Sequence, residues 1–408
     1  MECREYHPSG VYPAYYSPYP LSETDFLVSA QRNGKFLLYL MDVYGNRELI
    51  CEGTNNIFHA LPLKARPKPP VIADRVAWPD RKDRLSPQDG VLFSGNVYQN
   101  APPQLKGQAK YLRVLHIDPK TYTYWYMRPY ISTGPVVSTV QSEGVKRVLG
   151  TVPIEADGSV AFHAPPGMAL HFQLLDDGGR ALQTMRSFVG LMPGERRGCL
   201  GCHESHSRTP QYDGTCIALT KDPLPITPPP WSDNTVSYPR YVQPVLDKYC
   251  GKCHQGSGEG VKTLDLTPRP GFLGFAEPYH LLTGRPSWGT PYRLPPNPPP
   301  GFGIAGMLMV EGYGQFDPAG YKTPQPMTSL SYKSRLIERS SSGTHHDVKV
   351  DAVSLQRLIA WVDAMCPYLG DEEVRELPDP VFQGVDWLAI RPRIKTAPRI
   401  VRPGPVDD

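Results

Sequence analysis

The 408-residue sequence predicts an α+β multidomain chain, with antiparallel β structure through its first half and a small α-helical domain after it. Three observations carry this. Short apolar or alternating runs bounded by turn residues recur between Phe26 and Val189, the pattern of half-buried strands. Apolar side chains at helical spacing follow later, at Val242, Val245, Leu246 and Tyr249, and again at Leu355, Leu358, Ile359, Val362 and Met365. The 47 prolines, 37 glycines and 23 tyrosines speak against a helical bundle and for many turns and extended segments. A chain of this length holds two or three cores.

In chain order, Phe26 to Ala30 and Phe36 to Val43 are strands joined through Asn33-Gly34, a strong hairpin signal, and Tyr44-Gly45-Asn46 leads into a third strand, Glu48 to Cys51. Residues 1–60 therefore read as a small sheet or as a remnant of one β-propeller blade, since a single blade cannot bury both its faces. Residues 61–90 form a linker that begins with the basic, proline-rich run Leu61 to Pro70. Residues 91–208 are a β-sandwich-like middle domain with strands at Val91 to Val97, Tyr111 to Ile117, Val148 to Ile154, Val160 to His163, Ala169 to Leu175 and Leu182 to Val189. Turn residues at Ser142-Glu143-Gly144, Ala156-Asp157-Gly158 and Asp176-Asp177-Gly178-Gly179 punctuate them. A second proline-rich linker spans 209–230. The helical domain follows at 231–370: one helix runs from Tyr241 into Cys250, and a second from Ala352 to Met365, capped by Asp351 and stopped by Cys366-Pro367. Leu264 to Pro326, rich in Gly, Pro and Tyr, wraps over whatever that domain binds. Residues 371–408 are a tail.

A net charge of +3 without long basic runs excludes nucleic acid and other polyanions as partners. No run of about 18 apolar residues occurs, so no membrane span is expected.

Chemistry is concentrated in two pentads, Cys199-Leu200-Gly201-Cys202-His203 and Cys250-Gly251-Lys252-Cys253-His254. Each sets two thiols three positions apart with a histidine directly after, the c-type haem attachment pattern. The two thiols form thioethers to the haem vinyl groups, and the histidine is then held under the iron. Two covalently bound haem c groups are therefore expected, and the helical domain reads as cytochrome c-like. The competing reading is a structural zinc site built from the four thiols. Zinc ribbons place their knuckles about 15 to 20 residues apart; here nearly fifty residues intervene, and the paired histidines go unexplained. Haem attachment takes place outside the cytoplasm, so a periplasmic or otherwise extracytoplasmic location is expected. The first residues, Met1 to Pro8, carry neither a basic nor an apolar export region, which suggests a fragment of a longer exported protein.

Three segments of the middle region, Gly150 to Ser159, Leu182 to Ser187 and Gly194 to Glu204, resemble the middle domain of the hydrazine synthase alpha subunit family. Tyr19 to Glu23 and Tyr39 to Glu48 are similar to that family's last propeller blade. Gln243 to Asp247 with Cys250 to His254, and His345 to Lys349, are similar to its terminal cytochrome domain. The resemblance implies a longer parent with an amino-terminal propeller, a middle haem that is the seat of chemistry and open to a sixth ligand, and a bis-histidine haem in the terminal domain. It further implies a tyrosine ligand four residues after the first motif histidine, with the histidine itself on zinc. Here Ser207 stands at that position, a departure that favours ordinary ligation by His203.

A closed electron-transfer haem needs a sixth ligand. For the second haem the resemblance places His345 opposite His254, with His346 and Met327 as alternatives. For the first, His206, His163, His171 and Met192 are all open candidates. Arg196 and Arg197 stand close enough to meet haem propionates. Cys3 and Cys51 are a candidate disulfide, and Cys216 and Cys366 read as buried thiols. The functional expectation is a dihaem c-type cytochrome exchanging electrons with a redox partner protein. The alternative is a haem-dependent oxidoreductase acting on a small nitrogen or oxygen compound at the first haem.

Overall fold

The structure, a computed structural model, describes residues 15–65, 67–71, 76–78, 80, 86–118, 137–138, 144–185, 187–202, 216–231, 235–271, 274–283, 325–370 and 373. The chain divides into two compact units, Met1–Ala73 and Asp74–Asp408.

The first unit is one antiparallel sheet of four strands in sequential order, β1 (Tyr15–Pro20), β2 (Asp25–Arg32), β3 (Lys35–Asp42) and β4 (Arg47–Cys51). Asn33 and Gly34 take the left-handed conformations, φ 52° and 77°, that a tight hairpin between β2 and β3 demands. Val28, Ala30, Leu37 and Tyr39 line one face and are buried, with Phe26, Met41 and Leu49 packed beside them. β1 escapes the sequence pattern because Pro18 and Pro20 interrupt it; prolines are tolerated there because β1 is an edge strand. Cys51 is an exposed free thiol, and Cys3 lies outside the described residues.

The second unit opens with two sheets. One has the order β10-β9-β6-β7 and is antiparallel throughout: β6 (Tyr111–Ile117), β7 (Lys146–Pro153), β9 (Leu170–Leu175) and β10 (Ala181–Thr184). The other has the order β11-β5-β8, from β5 (Gly90–Ser94), β8 (Val160–Ala164) and β11 (Arg196–Cys199). β5 and β8 are antiparallel, whereas β11 joins β5 in parallel, pairing Arg196 with Val91 and Cys199 with Ser94. Leu112, Val114, Val152, Leu170, Leu174 and Leu182 from the first sheet and Leu92, Val160, Phe162 and Ala164 from the second form one core, as a sandwich-like arrangement requires.

The proline-rich connector after the first pentad is stitched to these sheets. Thr227 exchanges both backbone hydrogen bonds with Thr151 of β7 (2.9 Å each), and Leu224 bonds to Ala161 and His163 of β8 (3.0 and 2.9 Å). Gly150 makes the approach possible: a Cβ there would lie 2.0 Å from the Thr227 carbonyl oxygen.

A π-helical turn, Tyr238–Val242, runs into α1 (Gln243–Tyr249), and α2 (Gly251–His254) carries the second pentad. α3 (Glu277–Thr283), α4 (Leu330–Lys333), α5 (Arg335–Ser341) and α6 (Ala352–Asp363) complete the helices. The sequence pattern misses α3 to α5 because each is one or two turns long, too short for a 3.6-residue period to show. Asp351 caps α6 by accepting from the Ser354 amide (3.0 Å), and Leu358, Ile359, Trp361 and Val362 are buried. Cys216 and Cys366 are buried.

The helical core also takes in Leu115, Val148, Leu175 and Ala181, so the four-stranded sheet packs on the helices through its other face. A buried polar knot joins them. Arg113 of β6 donates to Asp363 of α6 (2.7 Å), to Gln173 (3.0 Å) and to the Gly179 carbonyl (2.8 Å), while the Ser331 amide donates to the other Asp363 oxygen (2.9 Å). Burial pushes the Asp363 carboxyl up, and Arg113 opposes it. Among the described residues no helix is long and apolar enough to cross a membrane.

Candidate haem-binding sites

The two pentads sit on different kinds of backbone. Cys199 is the last residue of β11, and the chain then turns so that the Cys202 amide donates to the Val97 carbonyl (3.1 Å) and the Ser94 hydroxyl to the Leu200 carbonyl (3.5 Å). Cys199 and Cys202 are half-buried against the sandwich core. Tyr98 lies nearby with its hydroxyl donating to the Ala109 carbonyl (3.0 Å); burial raises its pKa, and Cys202 adds to the shift. His203, His206 and Ser207 lie outside the described residues. Arg197 pairs with Glu195 (2.9 Å).

Of the other described candidates for the first haem, His163 and Met192 lie away from Cys199 and His171 is already hydrogen-bonded. His163 is paired with Val91, at the opposite end of β5 from Ser94, about 10 Å along the strand. Met192 sits in the turn before β11, at that same far end. His171 has both ring nitrogens engaged, with the Ser187 carbonyl (3.1 Å) and the Thr184 hydroxyl (3.0 Å).

The second pentad is helical. The His254 and Cys253 amides both reach back to the Cys250 carbonyl (2.9 and 3.2 Å), which turns Cys250, Cys253 and His254 within a single tight coil. Cys250 is half-buried and Cys253 exposed; burial, with Cys253 next to it, pushes the Cys250 thiol up to about 11. Cys250 is therefore a neutral thiol at neutral pH in this environment.

Nδ1 of His254 lies 2.8 Å from the Leu264 carbonyl oxygen. A carbonyl only accepts, so Nδ1 carries the proton and Nε2 keeps its lone pair for a metal. Across from it stands His345, its ring centre 6.1 Å from that of His254 and its plane 21° away. Two imidazoles bound at about 2 Å on opposite sides of one metal set their centres about 6 Å apart. The His345 pKa is lowered, first by burial and then by Arg339, His346 and His254, which keeps this imidazole neutral and able to ligate at neutral pH. His346 is exposed and meets His345 edge-on at 4.9 Å. Met327 packs instead on the sandwich core, its amide donating to the Leu182 carbonyl (2.7 Å). The donor set thus fits an axial His–His pair with covalent attachment at Cys250 and Cys253.

Sequence pattern singles out the pentads, and the family resemblance points to His345, but neither shows the groups that aim them. Leu264 acts through its backbone, which leaves no trace in composition. Tyr249 donates to Asp351 (2.7 Å), so α6 is tied at its start to the helix entering the pentad. The glycines at 258 and 260, directly after the second pentad, were the one available signal that another backbone passes close. Among the described residues no three His, Cys, Asp or Glu side chains converge as a metal site, so Cys199, Cys202, Cys250 and Cys253 do not gather into one zinc shell.

Residues 107–204 match the family model described as the hydrazine synthase alpha subunit middle domain. No curated protein sequence matches the chain at comparable stringency. In the solved structure of hydrazine synthase from Kuenenia stuttgartiensis, one chain superposes with a TM-score of 0.61 at 17% identity, covering 89% of this chain. The match spans 56% of that longer chain, and at this identity it is a likeness of fold. The mixed α+β architecture and the resemblance carried by Gly150 to Ser159, Leu182 to Ser187 and Gly194 to Glu204 are both borne out: residues 107–204 match the hydrazine synthase alpha subunit middle domain, and the fold is similar to that of the solved hydrazine synthase chain.

Proposed function

We propose that the chain is a dihaem c-type protein in which haem is bound covalently through Cys199 and Cys202 and through Cys250 and Cys253, with His203 and His254 as the proximal ligands. His345 closes the second haem, which serves electron transfer. The observation that carries this reading is the near-parallel pair of His254 and His345, 6.1 Å apart, with Nδ1 of His254 committed to a backbone carbonyl. Haem iron held by two histidines cycles between ferrous and ferric states with little change of geometry, the property an electron carrier needs. A redox partner protein outside the cytoplasm supplies or accepts the electron.

The first haem is the place of chemistry. Its pentad begins at the end of a β-strand, and among the described residues His163 and Met192 lie away from it while both ring nitrogens of His171 are engaged. This favours a second reading, a haem-dependent oxidoreductase acting on a small nitrogen or oxygen compound there, in keeping with the likeness to hydrazine synthase. Ser207 at the tyrosine position of the family motif argues for ligation of that iron by His203.

A pyridine haemochrome titration with intact-mass analysis tests the first reading: two haems per chain are expected, and fewer than two refutes it. Carbon monoxide added to the ferrous protein tests the second. Binding at one haem of the two is expected, and two haems that both resist it sink the enzymatic reading.

A further inference from the structure

His254 is gripped along one edge of its ring from two directions, and one of the grips requires a residue without a side chain. The Leu264 carbonyl takes the Nδ1 proton at 2.8 Å. Beside it the backbone of Gly260 passes so close that a Cβ would lie 2.7 Å from Cε1 and 2.8 Å from Nδ1 of the ring, and 2.9 Å from the Cys253 carbonyl oxygen. Gly260 lies within the 3-10 turn Glu259–Lys262, and its φ is not in the left-handed region, so the backbone itself would accept alanine. The turn is anchored at both ends of this contact: the Leu264 amide donates to the Gly260 carbonyl (2.9 Å) and the Leu266 amide to the His254 carbonyl (2.8 Å). One short segment thus supplies both the acceptor and the wall.

We propose that Gly260 is a positioning residue for the second haem: the space left by its missing side chain sets the rotation of the His254 ring, and with it the 21° angle to His345. The proposal rests on the haem reading above. A Cβ at 260 turns the ring away from the Leu264 carbonyl and out of parallel with His345. Two properties of a bis-histidine iron follow these changes. The angle between the axial planes governs the anisotropy of the low-spin ferric signal, near-parallel rings giving a rhombic spectrum and crossed rings a strongly anisotropic one. The Nδ1 hydrogen bond governs how basic the ligand is, and its weakening raises the reduction potential.

The test is Gly260→Ala in the full haem-loaded chain, compared with Glu259→Ala in the same turn, which contacts neither histidine through its side chain. In Gly260→Ala the second low-spin signal is expected to become strongly anisotropic and the potential of that haem to rise, while Glu259→Ala matches the parent in both. Loss of haem at Cys250 and Cys253 in Gly260→Ala alone also supports the steric wall. A Gly260→Ala protein that keeps its haem with unchanged signal and potential overturns the proposal. So does a parent whose second haem is already of the strongly anisotropic type. A parent with no haem at Cys250 and Cys253 removes instead the reading on which the proposal stands.

Discussion

His345 and His346 are neighbours in sequence, yet only His345 stands across from His254. The loop that presents it turns sharply, with His346 and Asp347 both left-handed at φ 50° and 56°. Replacing His345 by alanine is expected to leave the haem covalently bound but open on one side, so that the second haem loses its six-coordinate low-spin spectrum and takes up carbon monoxide. His346→Ala should leave the spectrum as it was; optical and EPR spectra of the two variants decide the matter. Asp351 makes a different kind of prediction. The Ser354 amide and the Tyr249 hydroxyl hold its carboxyl below the usual carboxylate range. A group depressed in the folded state contributes stability above its unfolded value, about 3.9, and that contribution is lost as pH falls below it. Asp351→Asn should therefore melt at a lower temperature than the parent at pH 7, and the gap should close as thermal unfolding is followed to pH values below about 4.

At the level of elements, the junction between β6 and α6 turns on one ion pair. Arg113 and Asp363 are both buried, and removing one partner of such a pair costs about 3–5 kcal/mol because the other charge is left unpaired. Arg113→Leu is expected to destabilise the chain on that scale, measured by urea unfolding, and Arg113→Leu with Asp363→Leu to recover part of the loss. The sequence made the strands of this region legible where side chains alternate, as in Tyr111–Ile117, whose predicted and observed limits coincide. It concealed β11, because Arg196-Arg197-Gly198-Cys199 is polar and pairs only through its backbone to β5. It also concealed the knot itself: Arg113 and Gln173 look like the solvent face of a half-buried sheet, and only the helices covering them make that face internal. The second site was legible as chemistry through Cys250, Cys253 and His254, while its aim depends on Leu264 and Gly260, whose contributions are a carbonyl and an empty volume.

Over the whole molecule, the two compact units meet in sequence near Ala73, after an extended stretch in which Leu63 and Val71 are fully exposed, at 106% and 99%. Trypsin is expected to cut first after Lys64, where the next residue is alanine, and to spare Lys68, which precedes a proline. The larger fragment should keep both haems, and loss of either from it on size-exclusion chromatography would count against their placement in the second unit. The parallel pairing of β11 with β5 bears on the order in which the protein matures. Cys199 is set in place only when β11 finds a strand far behind it in the chain; Ser94 and Leu200, which meet there, are 106 residues apart. Contacts so distant form late, whereas the coil from Cys250 to His254 closes on its own neighbours. Under haem limitation, partly matured chains should accordingly carry their single haem at Cys250 and Cys253, a peptide-mapping result that would put attachment on the helical coil before attachment at the end of the sheet.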